Sequence, residues 1–224
     1  MPRLKLKRFR VRQPRPEALA RYLRVYASED LYRQPEGLPS LSARELFGRD
    51  GLLALDLGSG RGEYLVAQAQ AQPARLFVGI EIHWKSVWDA VNRADAAGLE
   101  NVRFIRADVR RVLAKVPDES VDEVTVLFPP PALVRKRRGQ DLLSEAVIEH
   151  LARVMVDGAP LRFVTDHPDY FAHKVALIRS GGCFEEVTLA QDFEGGLTRF
   201  QQFWESRAIP SLRFEAVRVP RSAR

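Results

Sequence analysis

Leu53-Ala-Leu-Asp-Leu-Gly-Ser-Gly-Arg-Gly-Glu-Tyr64 runs from a short apolar strand through a glycine-rich turn into a helical pattern, and its reading decides the fold. Gly58, Gly60 and Gly62 remove side chains where a backbone turns sharply and approaches a ligand. The helix start that follows leaves unpaired N–H groups facing the same place. A blander reading is that these glycines serve packing alone. Downstream, Arg75-Leu-Phe-Val-Gly-Ile-Glu-Ile82 reads as a second apolar strand ending in an acid, Glu81, whose two oxygens suit a ribose diol. Strand, turn, helix and second-strand acid fit either a dinucleotide-binding or an S-adenosylmethionine-binding Rossmann-like unit. The dinucleotide fingerprint places its third glycine where this chain has Glu63, so Asp56-x-Gly-x-Gly-x-Gly favours S-adenosylmethionine.

Around this stretch, strand-sized apolar runs alternate with helical patterns. Strands are expected near 52–57, 76–82, 102–107, 121–128 and 160–166, and helices near 62–72, 84–98, 109–115, 141–157 and 169–180. Late strands near 183–191 and 209–219 would close the sheet. The alternation predicts an α/β fold: a doubly wound, mostly parallel sheet covered on both faces. Before it, Pro16 to Tyr32 has helical spacing (Leu19, Tyr22, Leu23, Tyr26), and Gln34 to Ser40 reads as a Pro/Gly linker. Residues 1–40 are therefore read as a basic arm, helix and linker, and 41–224 as the catalytic-type domain.

With 224 residues, 46% of them hydrophobic, the chain can build one good-sized core but not two. It has no apolar run long enough for a membrane span and no secretory signal pattern. The single cysteine, Cys183, has no metal-ligand neighbours in sequence, so no metal is expected and a cytoplasmic protein is the simplest reading. Residues 1–24 carry nine Lys or Arg against one Glu, a net +8; the whole chain is +6, so the other 200 residues are slightly acidic. Residues 1–16 mix those charges, among them Arg8 and Arg10, with alternating Leu4, Leu6, Phe9 and Val11, as an edge strand or strap would. A second basic cluster, Arg135-Lys136-Arg137-Arg138, follows a proline-rich turn. A solubilising tail and a solvated loop would look the same, but two clusters beside a cofactor domain point to a nucleic-acid backbone.

Ligands of such sheets bind beyond the carboxyl ends of the strands. Asp108, after the third strand, can accept from an adenine amine or cap the following helix. The fourth strand ends in Leu127-Phe-Pro-Pro-Pro-Ala132 and the fifth in Phe163-Val-Thr-Asp-His-Pro-Asp169. That puts Asp166 across from the fourth-strand end, as a site acid or a turn residue. His83, Trp84 and Trp88 read as packing and capping groups.

In this order the motifs resemble the bacterial tRNA (guanine-N7)-methyltransferases, class I enzymes that methylate a guanine in the tRNA variable loop. The resemblance rests on Asp56 to Glu63, Val78-Gly-Ile-Glu-Ile-His83, Gly98 to Val102 with Asp108, Asp118 to Asp122, Leu127-Phe-Pro129, the Arg135 to Arg138 run and Val164 to Tyr170. It implies a Rossmann-like class I methyltransferase fold with an antiparallel last strand, a monomer or homodimer, using S-adenosylmethionine on tRNA. Asp56, Gly58, Gly60, Glu81 and Asp108 would hold the cofactor. Asp166 and Glu205 would hold the guanine as catalytic residues, and Arg8, Arg10, Arg135, Lys136, Arg137, Arg138 and Arg207 the RNA. The chain departs from the family's P-D-P-W motif and following lysine, having Pro130 at the acid position and Val134 at the lysine. The late T-x-[FY]-E signature aligns either with Thr198-Arg-Phe-Gln201 or, as taken for Glu205, with Trp204-Glu-Ser-Arg207. Two alternatives follow from these departures: a catalytically degenerate RNA-binding relative, or a methyltransferase for another RNA nucleotide.

Overall fold

The computed structural model describes residues 10–131, 141–187 and 211–220. Their strands are β1 (Leu23–Val25), β2 (Leu53–Leu57), β3 (Leu76–Glu81), β4 (Val102–Arg106), β5 (Glu123–Leu127), β6 (Pro160–Thr165), β7 (Phe184–Glu186) and β8 (Leu212–Arg218). They form one sheet in the order β1-β4-β3-β2-β5-β6-β8-β7. Pairing is parallel from β1 through β6, and β8 runs antiparallel between β6 and β7. The mostly parallel sheet with an antiparallel last strand is as expected.

The helices are α1 (Pro16–Tyr22), α2 (Ser28–Arg33), α3 (Ala43–Phe47), α4 (Glu63–Ala71), α5 (Trp84–Ala96), α6 (Val109–Val112), α7 (Glu145–Val154) and α8 (Pro168–Ser180). All five residues of β2 are buried, because alternate side chains enter opposite layers. Leu53, Leu55 and Leu57 pack with α2, α3, α6, α7 and α8, whereas Ala54 packs with Tyr22, Leu65, Val91 and Phe104 under α1, α4 and α5.

The helix expected over 16–32 is interrupted. After Tyr22 the chain extends as β1, with Leu23 opposite Phe104 and Val25 opposite Arg106, and Tyr26 N–H donates to Arg106 O at 3.0 Å. Pairing satisfies the outer edge of β4, and that tertiary gain outweighs local helical spacing. The short α3 was not anticipated: Ser42 caps it by accepting from Glu45 N–H, and Gly48, at φ 70°, ends it. The expected helix over 141–157 begins only at Glu145, behind the Ser144 cap. The late strands are confined, among the described residues, to 184–186 and 212–218. Residues 10–15 form no strand, and 1–9 lie outside the described residues.

Gly79, in the middle of β3, lets the glycine turn lie on the sheet. A β-carbon there would stand 2.6 Å from Ser59 Oγ and 2.9 Å from Leu65 Cδ2. Gly79→Ala is expected to cost about 1–3 kcal/mol through overpacking. A denaturation midpoint equal to that of the wild type would remove this account.

Candidate cofactor and substrate site

The carboxyl ends of β2 to β6 meet along one rim. At its centre the turn after β2 is held against β3, with Gly58 and Ser59 N–H donating to Ile80 O at 2.8 and 3.2 Å. All three glycines of the turn have positive φ, but their surroundings differ. At Gly62 a β-carbon would stand 2.8 Å from Ala90 Cβ, so this glycine serves the approach of α4 to α5. At Gly58 it would stand 2.7 Å from Leu142 Cδ1. At Gly60 it would meet nothing nearer than Gly58 O at 3.9 Å, and this open side fits close approach of a ligand to the backbone.

Glu81, at the tip of β3, braces the turn. Its Oε2 accepts from Gly60 N–H at 3.1 Å, and its Oε1 from Ile82 and His83 N–H at 2.7 and 2.8 Å. Backbone donors fill the Oε1 lone pairs and leave one on Oε2 for a ribose hydroxyl. Asp56 lies beneath the turn, only 2% exposed, accepting from Thr125 Oγ1 at 3.1 Å. Burial, reinforced by the nearby Glu81 charge and opposed by the Thr125 bond, pushes Asp56 up to about 7.

Asp108 takes up its capping role. Its Oδ1 accepts from Arg110 N–H and Nε, at 3.1 and 2.9 Å, while Arg110 Nη2 pairs with Oδ2. Burial alone would raise this carboxyl, but the Arg110 bonds and charge hold it below the ordinary range. Contact with an adenine amine would therefore share oxygens that Arg110 already occupies.

At the end of β5, Phe128 adopts φ 50° and donates its N–H to Val164 O at 2.7 Å. A left-handed aromatic residue costs roughly 1–2 kcal/mol, and such strain clusters where chain direction serves function. The following Pro129 is buried and Pro130 exposed, so no acid stands at the family's motif position. At the end of β6, His167 accepts from Tyr170 N–H as the cap of α8, and Thr165 Oγ1 accepts from His167 N–H at 3.3 Å. Between them Asp166 is half-buried, and no hydrogen bond or ion pair engages its carboxylate among the described residues.

Glu205, Arg207, Arg8 and the Arg135, Lys136, Arg137 and Arg138 run lie outside the described residues. Arg10 is described and exposed. The chain after it is fastened to α5: Asn92 Nδ2 donates to Arg12 O at 2.8 Å, and Arg15 pairs with Asp95 at 2.8 Å. Read from Arg15 back to Arg12, the segment climbs α5 toward its N-terminal end, the end joined to Glu81. There Trp84 and Trp88 pack at 6.0 Å between ring centroids, and the Arg106 guanidinium lies 4.3 Å from the Trp84 centroid. Sequence reading missed Gly79, Thr125, Arg110 and a buried Asp141–Lys174 ion pair, whose partners are far apart in the chain. Among the described residues no cluster of His, Cys, Asp and Glu is suited to a metal ion, and no helix is long and apolar enough to cross a membrane.

Residues 50–207 match a family described as "Putative methyltransferase". A tRNA (guanine-N(7)-)-methyltransferase of Rubrobacter xylanophilus is 38% identical over 222 residues, covering 97% of this chain and all of the relative. One from Chloroflexus aurantiacus is 44% identical over 165 residues, 74% of each chain. Among solved structures, the 16S rRNA methyltransferase KamB superposes with TM-score 0.58 at 18% identity, covering 79% of this chain and 92% of its own. A 16S rRNA (adenine(1408)-N(1))-methyltransferase crystallised with its cosubstrate SAM superposes with TM-score 0.56 at 21% identity, covering 79% of this chain and 90% of its own. At such identity these two structures speak to the fold alone.

Proposed function

From the premise that the chain belongs to the tRNA (guanine-N(7)-)-methyltransferase family, we propose that it methylates N7 of a guanine in the variable loop of tRNA, with S-adenosylmethionine as the methyl donor. The observation that carries the substrate side of this reading is the half-buried Asp166 carboxylate, unengaged among the described residues, at the end of β6, two strands from the glycine turn. On the cofactor side, the open face of Gly60 and the remaining Glu81 lone pair fit a nucleoside ribose.

When bound, the sulfonium supplies an electrophilic methyl group. Guanine N7 carries a lone pair and no proton, so nothing needs to be removed before transfer. The demands on the protein are alignment of N7 with the methyl–sulfur axis and compensation for positive charge moving onto the purine. Asp166 supplies a fixed negative charge and an acceptor for the guanine N1–H and exocyclic amine. In this scheme the acid missing at Pro130 is not required, because no general base acts. The course of Arg12 to Arg15 along α5 toward the Glu81 end supports a phosphate-binding role for Arg10 just before them, and the same role is proposed for Arg8 from its place in the basic sequence.

The test is methyl transfer from labelled S-adenosylmethionine to unmodified tRNA, followed by nucleoside analysis and fragment mapping. Label is expected in 7-methylguanosine within the variable-loop fragment. Binding of both ligands without transfer would favour an RNA-binding protein that has lost its chemistry, and label in another nucleoside would change the substrate assignment. In the same assay, replacing Arg8 and Arg10 by alanine is expected to raise KM for tRNA and to flatten the log–log salt dependence by roughly 2. An unchanged salt slope would leave the arm without a role.

A further inference from the structure

We propose that Asp141, held from α8 by Lys174 and Tyr170, is a positioning residue that sets Leu142 as one wall of the cofactor cleft. The inference rests on the cofactor reading above and centres on Asp141, Leu142 and Lys174, which lie outside the motifs that carry the family resemblance.

Tyr170 and Lys174 are one turn apart on α8 and share its buried face. Lys174 is only 1% exposed, a depth at which an ammonium is found only when paired. It pairs with Asp141 Oδ2, and its nitrogen lies 5.2 Å from the Tyr170 ring centroid. Tyr170 OH donates to Asp141 Oδ1 at 2.9 Å. Leu143 N–H donates to the same Oδ1 at 3.2 Å, closing an Asx turn across Leu142.

Both Asp141 oxygens are thus engaged, and the backbone at 141–143 is held at two points: by the Asx turn and by Leu143, which is fully buried in the core. Leu142, between them, is the side chain lying 2.7 Å from where a Gly58 β-carbon would stand. Asp141 is also close enough to Arg110 for its charge to add to the stronger effect of the Asp108 bonds in raising that guanidinium. One side-chain network therefore ties α8, which starts two residues after Asp166, to the glycine turn and to the neighbourhood of Asp108. A buried ion pair is seldom the most stable filling for such a space, and apolar residues of similar volume often do as well or better. Here the pair does what an apolar filling could not: its acceptor oxygens define the path of the chain over Gly58.

The experiment compares wild type with Asp141→Asn, Tyr170→Phe and the double variant Asp141→Leu/Lys174→Met. It uses calorimetric binding of S-adenosylhomocysteine, thermal midpoints, and amide exchange at Leu143 and residues 58–62. The double variant replaces the ion pair by apolar groups but removes the Asx acceptor. It is expected to keep a thermal midpoint within a few degrees of wild type, to bind S-adenosylhomocysteine at least tenfold more weakly, and to exchange the Leu143 and 58–62 amides at least tenfold faster. Asp141→Asn retains Oδ1 and is expected to lose thermal stability while keeping binding within about threefold of wild type when folded. If the double variant fails to fold, Tyr170→Phe decides, with an expected three- to fivefold loss of binding and faster exchange at Leu143. Unchanged exchange at 58–62 and unchanged binding in the folded variants would overturn the proposal and leave the pair as core packing. If the wild type binds no S-adenosylhomocysteine, the cofactor reading fails, and the exchange data alone still decide whether Asp141 sets the path over Gly58.

Discussion

Asp56→Asn is expected to stabilise the protein at pH 8 and to have almost no effect near pH 4, with the gap opening between. The cause is the position of Asp56 in the middle of the sheet, paired in register between Gly79 and Thr125 and closed from water by the turn above it. Burial raises its carboxyl from 3.8 to about 7, with Glu81 adding to the shift and the Thr125 hydroxyl opposing it. A folded-state pKa above the unfolded value means that the native protein keeps a proton the unfolded chain gives up. Stability is then fullest below about pH 4 and falls as the pH climbs toward the folded-state pKa, beyond which both states are ionised and the difference is constant. A displacement of that size corresponds to ~4 kcal/mol as an upper figure. Asparagine keeps an acceptor for Thr125 and never ionises, so the variant escapes the loss. Chemical denaturation at pH 5 and pH 8 measures it, and a difference between variant and wild type that does not grow with pH would refute the assignment.

Asp166→Ala is expected to lower kcat by about 10²–10³, the scale of removing one preorganised electrostatic partner of a transition state. Affinity for S-adenosylmethionine should stay within about threefold of wild type, because the proposed cofactor contacts are the turn, Glu81 and Asp108 rather than β6. Thermal stability should also be nearly unchanged, since no described residue bonds to the Asp166 carboxylate. Asp166→Asn preserves the shape and one acceptor but not the charge, and should fall between the two. Single-turnover methyl transfer at saturating tRNA separates these outcomes. An unchanged rate would remove Asp166 from the site, whereas a loss of cofactor affinity in step with the rate would make it a scaffold residue.

These two acids differ in how much of their role can be read locally. Asp166 stands at a strand end in a β-α alternation, and its position on the rim follows from topology, which the apolar runs display directly. Asp56 is recognisable as the acid before a glycine turn, but its burial, its bond to Thr125 and its raised pKa depend on β5, 69 residues away. The same division holds for the glycines. Positive φ at Gly58, Gly60 and Gly62 is implied by the turn. Only the packing shows that Gly62 faces Ala90, Gly58 faces Leu142 and Gly60 faces open space. Gly79 stands in a quoted motif, but its reason was not legible within its strand, because what demands a glycine there is Ser59 lying across it. Helical spacing over 16–32 misled for a related reason. Leu23 to Val25 complete a sheet edge whose hydrogen-bonding groups belong to β4, and a one-dimensional pattern carries no record of that edge.

The sequence by itself determined the β-α alternation from the first glycine-turn strand onward, the glycine turn, the acid Glu81 at the tip of the next strand, and the rim of strand ends proposed as the ligand site. These depend on residue type, local backbone preference and a side-chain period that any short stretch reveals. Only the tertiary structure decided which acids are buried, which lack a bonded partner among the described residues, and that Asp141 and Lys174, 33 residues apart, meet. Desolvation and ion pairing depend on what the rest of the chain brings within a few ångströms of a group, and that environment exists only once the sheet has closed.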